Sequence, residues 1–211
     1  TQIMKKKVVS RIQTLLDNIS KTQQRGFFLI IGDRGKDQVV NLHYVLSKNM
    51  TRSKPKLLWC YKKELGFSTH KKQRMREIQK LQKRGLYNAN TDEPFELFTS
   101  SNEIRYCYYK ESHKILGNTF TMLVLQDFES ITPNILCRTI ETVEGGGVVI
   151  MLIKTMNSLK QLYTLSMDVH QRYRTEAFQD VDPRFNERFI LSLSMCRNCI
   201  VMDDELNILP I

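Results

Sequence analysis

The sequence predicts an α/β fold in which a mainly parallel sheet is flanked by helices. Three observations predict it. The stretch Gly26-Phe27-Phe28-Leu29-Ile30-Ile31 and the runs at residues 120–125 and 148–153 are apolar throughout, as strands buried on both faces of a parallel sheet are. Amphipathic patterns of helical period lie between them. The first strand also stops at a glycine turn, Gly32-Asp33-Arg34-Gly35-Lys36-Asp37, that opens directly into a helix.

Taken in order, residues 5–19 carry Val8, Ile12, Leu15, Leu16 and Ile19 at helical spacing, which predicts an amphipathic helix packed on the sheet. The strand at 27–31 follows, then a helix to about residue 48 and a basic connector containing Pro55. Leu57-Leu58-Trp59-Cys60-Tyr61 reads as the next strand. Ser68 caps a helix that stops at Gly85, with Lys83 and Arg84 in its last turn, where cations suit the helix dipole. Residues 86–102 read as a turn-rich insertion, with Phe95, Leu97 and Phe98 pinning it to the body.

The stretch at 104–109 alternates enough for a half-exposed or edge strand, and 120–125 is a buried one. Thr132-Pro133 open a helix, Thr as N-cap and Pro as first residue; it is expected to run to Val143 or Glu144 and to be stopped by Gly145-Gly146-Gly147. Residues 148–153 form a further strand, residues 157–174 and 184–195 read as helices, and Cys199-Ile200-Val201-Met202 as a last strand. The 211 residues fit one α/β domain.

Net charge is +10, with a pI near 9.4, which favours an acidic partner such as nucleic acid, or balancing acids in other parts of a larger protein. No run is long enough to span a bilayer, so no membrane partner is expected. The N-terminus has no signal-peptide pattern, which predicts an intracellular protein. Five cysteines at irregular spacing point to a reducing compartment.

The strand, turn and helix around Gly32 have the shape of a phosphate-binding loop. The chemistry is incomplete. Aligning the second glycine and lysine of G-x-x-x-x-G-K-[ST] on Gly35 and Lys36 puts Ile30 at the first glycine and Asp37 at the Mg²⁺-binding hydroxyl, and a carboxylate there repels phosphate. Gly32, Gly35 and Lys36 therefore read as a degenerate phosphate loop in a P-loop or RecA-like frame. The alternative is an ATPase with an unorthodox loop, since Asp127 and Glu129 follow an apolar strand as the acids of such enzymes do.

Cys196-Arg197-Asn198-Cys199 lacks two further ligands at zinc spacing, so no metal is expected and the pair reads as two half-buried thiols. The four histidines are scattered, and no serine or cysteine sits in a nucleophile elbow, so no catalytic residue is assigned. Tyr61, Tyr106, Tyr108 and Tyr109 offer stacking surface for unpaired bases or, more ordinarily, cross-strand packing. In residues 71–84 only Met75, Ile78 and Leu81 recur at helical spacing, which leaves Lys71, Lys72, Arg74, Arg76, Lys80, Lys83 and Arg84 projecting outward. These seven are candidate RNA contacts, against the reading of a solvated face.

Several stretches then resemble one family. Gly32-Asp33-Arg34-Gly35-Lys36-Asp37-Gln38, Leu58-Trp59-Cys60-Tyr61-Lys62-Lys63-Glu64-Leu65-Gly66-Phe67, His113-Lys114-Ile115-Leu116-Gly117-Asn118 and Met167-Asp168-Val169-His170 resemble the N-terminal region of the eukaryotic RNA cytidine acetyltransferases. So does Arg184-Phe185-Asn186-Glu187-Arg188-Phe189, and the likeness spans nearly the whole chain. The resemblance implies a nucleolar enzyme of the nucleus that forms N4-acetylcytidine in the 18S ribosomal RNA precursor and in transfer RNA, with acetyl-CoA and ATP/Mg²⁺ as cofactors. It implies helicase-like and acetyltransferase domains in the same protein, ribosome-assembly factors as partners, and a non-catalytic scaffolding or RNA-binding role for this region. The nearest approach to an acetyl-CoA pyrophosphate loop, Gln23-Gln24-Arg25-Gly26-Phe27-Phe28, ends on Phe28 and runs into a strand, so neither cofactor is assigned to this chain.

Overall fold

A computed structural model describes residues 2–49, 55–62, 95, 98–99, 102–154, 175–177, 179 and 184–210. The expected helices at 68–85 and 157–174 and most of the insertion at 86–102 lie outside the described residues. So do all seven basic candidates, Lys71, Lys72, Arg74, Arg76, Lys80, Lys83 and Arg84.

The chain runs α1 (Gln2–Thr22), β1 (Gly26–Ile31), α2 (Gly35–Asn49), β2 (Leu57–Tyr61), β3 (Ile104–Tyr108), a 3-10 helix (Tyr109–Ile115), β4 (Phe120–Leu125), a short 3-10 turn (Phe128–Ser130), α3 (Pro133–Ile140), β5 (Val143–Ile153), α4 (Arg184–Met195) and β6 (Cys199–Asp203). The six strands form one sheet in the order β3-β2-β4-β5-β1-β6, and every strand pair is parallel. This is the α/β class with a parallel sheet that the apolar runs predict. Among the described residues no helix is long and apolar enough to cross a membrane.

Burial on both faces explains those runs. β2 and β4 are buried at every position, and β1 at all but Phe27. One face packs Phe28, Ile30, Trp59, Val124 and Ile150 against Ile12, Leu16 and Ile19 of α1 and Val39, Leu42 and Leu46 of α2. The opposite face packs Leu29, Leu58, Cys60, Leu123 and Met151 against Tyr109 and Ile115 of the 3-10 helix, Ile135 and Ile140 of α3, and Ile190 and Leu193 of α4. A fully buried side chain of this size contributes about 1.5–3 kcal/mol, so the two layers dominate stability.

Phe95 and Phe98 are buried as expected, Phe95 edge-on to Trp59 at 5.6 Å and Phe98 edge-on to His43 at 4.9 Å between ring centroids. Thr132 caps α3, its Oγ1 accepting the Ile135 N–H at 3.2 Å, with Pro133 in the first turn.

Two expectations need correction. α3 ends at Ile140, and the three glycines lie inside β5 rather than stopping a helix. Their reason is close approach: a Cβ on Gly147 would stand 2.6 Å from the Thr121 carbonyl oxygen, and one on Gly145 2.7 Å from that of Gln23, at the end of α1. Secondly, Tyr109 leaves the strand and opens a 3-10 helix, where its ring is buried and its hydroxyl donates to the Gln126 carbonyl.

His43 is buried in α2 with Nε2 lacking any hydrogen-bond partner. Desolvation disfavours the imidazolium and holds its pKa below the ordinary 6.5. The unfolded chain therefore takes up a proton near pH 6.5 that the folded chain resists, so stability is complete above that pH and is lost as pH falls below it. Thermal melts of His43→Leu and the parent should show the variant losing less stability on acidification below pH 6.5; parallel losses would contradict it.

Candidate functional site

The carboxyl edge of the sheet is where connections part. β1 turns into α2 on one face, β4 leads through the 3-10 turn to α3 on the other, and β5 lies between them. Such a switch point opens a crevice beyond the strand ends, the usual ligand position in open α/β sheets. Here the crevice holds ≈ 200 Å³ and is lined by Gly32, Lys36, Gln126, Asp127, Glu129 and Lys154 among others. That is below the roughly 300–1,000 Å³ of typical small-molecule pockets.

The structure brings Gly32, Gly35 and Lys36 together with Asp127 and Glu129 around this crevice. Burial lowers the pKa of Lys36, and the charge of Asp127 works against that shift. Asp127 adopts a left-handed backbone (φ 58°, ψ 60°), a strained choice for a residue with a Cβ, and its Oδ2 accepts the Lys62 N–H at 3.0 Å. Gln126 is fixed from both faces, its side-chain oxygen accepting Trp59 Nε1–H at 3.2 Å and its carbonyl accepting the Tyr109 hydroxyl.

The decisive contact comes from the far end of the chain. The turn after β6 folds onto the Gly32 turn, and the Asp204 carboxylate accepts the Arg34 N–H at 3.1 Å. Asp204 N–H donates to the Ile31 carbonyl at 3.1 Å, Gln38 Nε2 donates to the Asp204 carbonyl at 2.7 Å, and Glu205 pairs with Arg34 at 3.9 Å. Gly32 has φ +145°, and a Cβ there would meet Asp204 Cγ at 2.4 Å. A phosphate placed on the Arg34 amide would have to displace a carboxylate of this chain. With Ile30 and Asp37 at the other key positions, these residues do not fit ATP·Mg²⁺.

Elsewhere the predicted sites resolve into packing. At the approach to an acetyl-CoA loop, Gln24 N–H donates to Ile19 and Phe27 N–H to Asn198, and Phe28 is wholly buried. Tyr61 packs on Tyr106 and Tyr108 at 6.4 and 4.6 Å between centroids, and burial pushes the hydroxyls of Tyr61 and Tyr106 up to about 12. Cys196 is exposed rather than half-buried, because it follows the last turn of α4; only Cys199 is half-buried, and burial pushes its thiol up to about 12. Among the described residues no group of three or more His, Cys, Asp and Glu side chains is placed to hold a metal.

The closure of the Gly32 turn is testable by a double-mutant cycle. Asp204→Ala should cost about 1–3 kcal/mol, as loss of a charged hydrogen bond to a backbone amide does. Gly32→Ala should cost at least as much in the parent, from positive-φ strain and the clash with Asp204, but clearly less in the Asp204→Ala background. Additive losses in denaturant titrations would show that the two turns are independent.

Comparison with known proteins places this sequence in a family. Residues 4–204 match the family described as "tRNA(Met) cytidine acetyltransferase TmcA, N-terminal". The chain is 64% identical over 207 residues to the RNA cytidine acetyltransferase of Homo sapiens, 62% over 208 residues to that of Schizosaccharomyces pombe and 57% over 208 residues to that of Saccharomyces cerevisiae. Each alignment covers 98% of this chain and 20% of the relative, so the chain spans about a fifth of the length of these curated relatives. With nearly its whole length matched, the chain belongs to the N-terminal family of the TmcA-type cytidine acetyltransferases.

Proposed function

We propose that this chain is the non-catalytic N-terminal module of an RNA cytidine acetyltransferase, binding RNA and scaffolding the parts of the protein that carry the chemistry. Those parts, helicase-like and acetyltransferase modules, use ATP/Mg²⁺ and acetyl-CoA to form N4-acetylcytidine in the 18S ribosomal RNA precursor and in transfer RNA. The setting is the nucleolus of the nucleus, among ribosome-assembly factors. Membership of the family supports the enzyme class, and the turn closed by Asp204 supports a region without nucleotide chemistry of its own.

The observation that carries RNA binding is charge. The chain has a net charge of +10, and residues 71–84 contribute seven cations against the single acid Glu77. Like charges at that density repel one another, and an anionic polymer relieves the repulsion. Phosphate contacts of this kind release about 0.7 counterion each from single strands, so binding is sequence-tolerant and steeply salt-dependent.

Charge reversal of Lys72, Arg76 and Lys80 to Glu tests it, because none lies among Met75, Ile78 and Leu81. The triple variant should keep the circular dichroism of the parent, bind structured RNA more weakly and show a flatter slope of log affinity against log salt. Equal affinity across the salt series would make the segment a solvated face or a protein-docking surface.

A further inference from the structure

Cys60 and Cys107 are far apart in sequence, but the β2–β3 register sets them opposite one another on neighbouring strands. Both side chains lie on the face covered by the 3-10 helix, in one apolar cluster with Leu58, Leu125, Tyr109 and Ile115. Cys60 is wholly buried, and Cys107 is 5% exposed on β3, the outermost strand. Cys107 Sγ donates to the Tyr108 carbonyl at 3.4 Å. Adjacent strands are about 4.8 Å apart, inside the roughly 4.4–6.8 Å Cα separation that a disulfide spans. Side chains that leave the sheet in parallel stand wider than the ~3.8 Å Cβ separation a relaxed disulfide adopts, so such a bond is strained and readily reduced.

We propose that Cys60 and Cys107 form a reversible redox site, in which a hydroperoxide oxidises the pair to an intramolecular disulfide that pins the edge strand β3 to β2. The environment separates their roles. The neighbouring Cys60 thiol lowers the pKa of Cys107, with Arg105 and Lys114 acting in the same direction and burial and Glu111 against it. The neighbouring Cys107, with burial, pushes the Cys60 thiol up and keeps it protonated. Cys107, on the edge strand and the more exposed of the two, is the thiol that meets the peroxide, attacking as its thiolate, and the wholly buried Cys60 is the resolving thiol.

In the first step the Cys107 thiolate attacks one peroxide oxygen, the O–O bond breaks and the departing hydroxide takes up a proton, leaving a sulfenic acid and one water. In the second, Cys60 sulfur attacks Cys107 sulfur, the S–O bond breaks, and the sulfenic oxygen leaves as water with the Cys60 proton. Two thiols and one hydrogen peroxide give one disulfide and two waters. Cys107 is reached from the edge of the sheet, where β3 has no further strand beside it. The crosslink closes a covalent ring around the basic stretch at residues 71–84.

The test uses the chain with Cys137, Cys196 and Cys199 changed to Ser, which leaves only this pair. After stoichiometric hydrogen peroxide, non-reducing peptide mapping should find the Cys60 and Cys107 peptides linked, with both thiols lost to titration in denaturant and restored by a dithiol. Adding Cys60→Ser should halt oxidation at a Cys107 sulfenic acid that a dimedone reagent traps. Should that variant fail to fold, the linked peptide from the three-serine chain decides alone. Two thiols still titratable after an exposure that consumes Cys196 of the parent, or Cys107 over-oxidised beside a free Cys60, would overturn the proposal.

Discussion

β1 is bonded on both edges, to β5 and to β6, and packed on both faces, so it cannot shift without disturbing the whole sheet. Strand pairing is parallel throughout, and parallel neighbours need crossover connections, so each face acquires a helical layer and the central strands must be apolar on both sides. The ends of β1 inherit this rigidity. At its amino end Gly26 lies against Ile19 of α1; at its carboxyl end Gly32 N–H donates to the Ile153 carbonyl at 2.9 Å, fixing the turn before α2 begins.

A turn held that firmly is a natural anion site, with amides converging at the start of a 15-residue helix. This chain meets the same electrostatic demand internally. Asp204 supplies the negative charge at the Arg34 amide, and the backbone on either side of it is tied to Ile31 and Gln38. Lys36 remains beside the Asp127 charge, and the crevice that survives is small. The turn keeps its converging amides, and one of them, that of Arg34, is met by the protein's own carboxylate. The chain spans about a fifth of the length of the curated relatives it matches.

Much of this was legible locally. Uninterrupted apolar runs marked β1, β2, β4 and the second half of β5, and Thr132-Pro133 marked the start of α3, because both signals depend on neighbours in sequence. The glycine turn between β1 and α2 was legible too, from Gly32 and Gly35 at the end of an apolar run. What was not legible depends on distant contacts. Three consecutive glycines read as a helix stop, yet they serve the close approach of Gln23 and Thr121 to β5. Asp204 lies 170 residues from Arg34, so no window of sequence announces it. Tyr109 continues an alternating pattern, and its burial in the core and its bond to the Gln126 carbonyl, both distant contacts, go with the chain leaving the strand there.

The closed turn is tested most directly by isothermal titration of ATP·Mg²⁺ onto the chain. The expected result is no saturable heat at micromolar nucleotide, because binding would have to displace Asp204 and place phosphate beside Asp37. Micromolar affinity that disappears with Lys36→Ala would contradict it and establish an ATPase-type site in this turn.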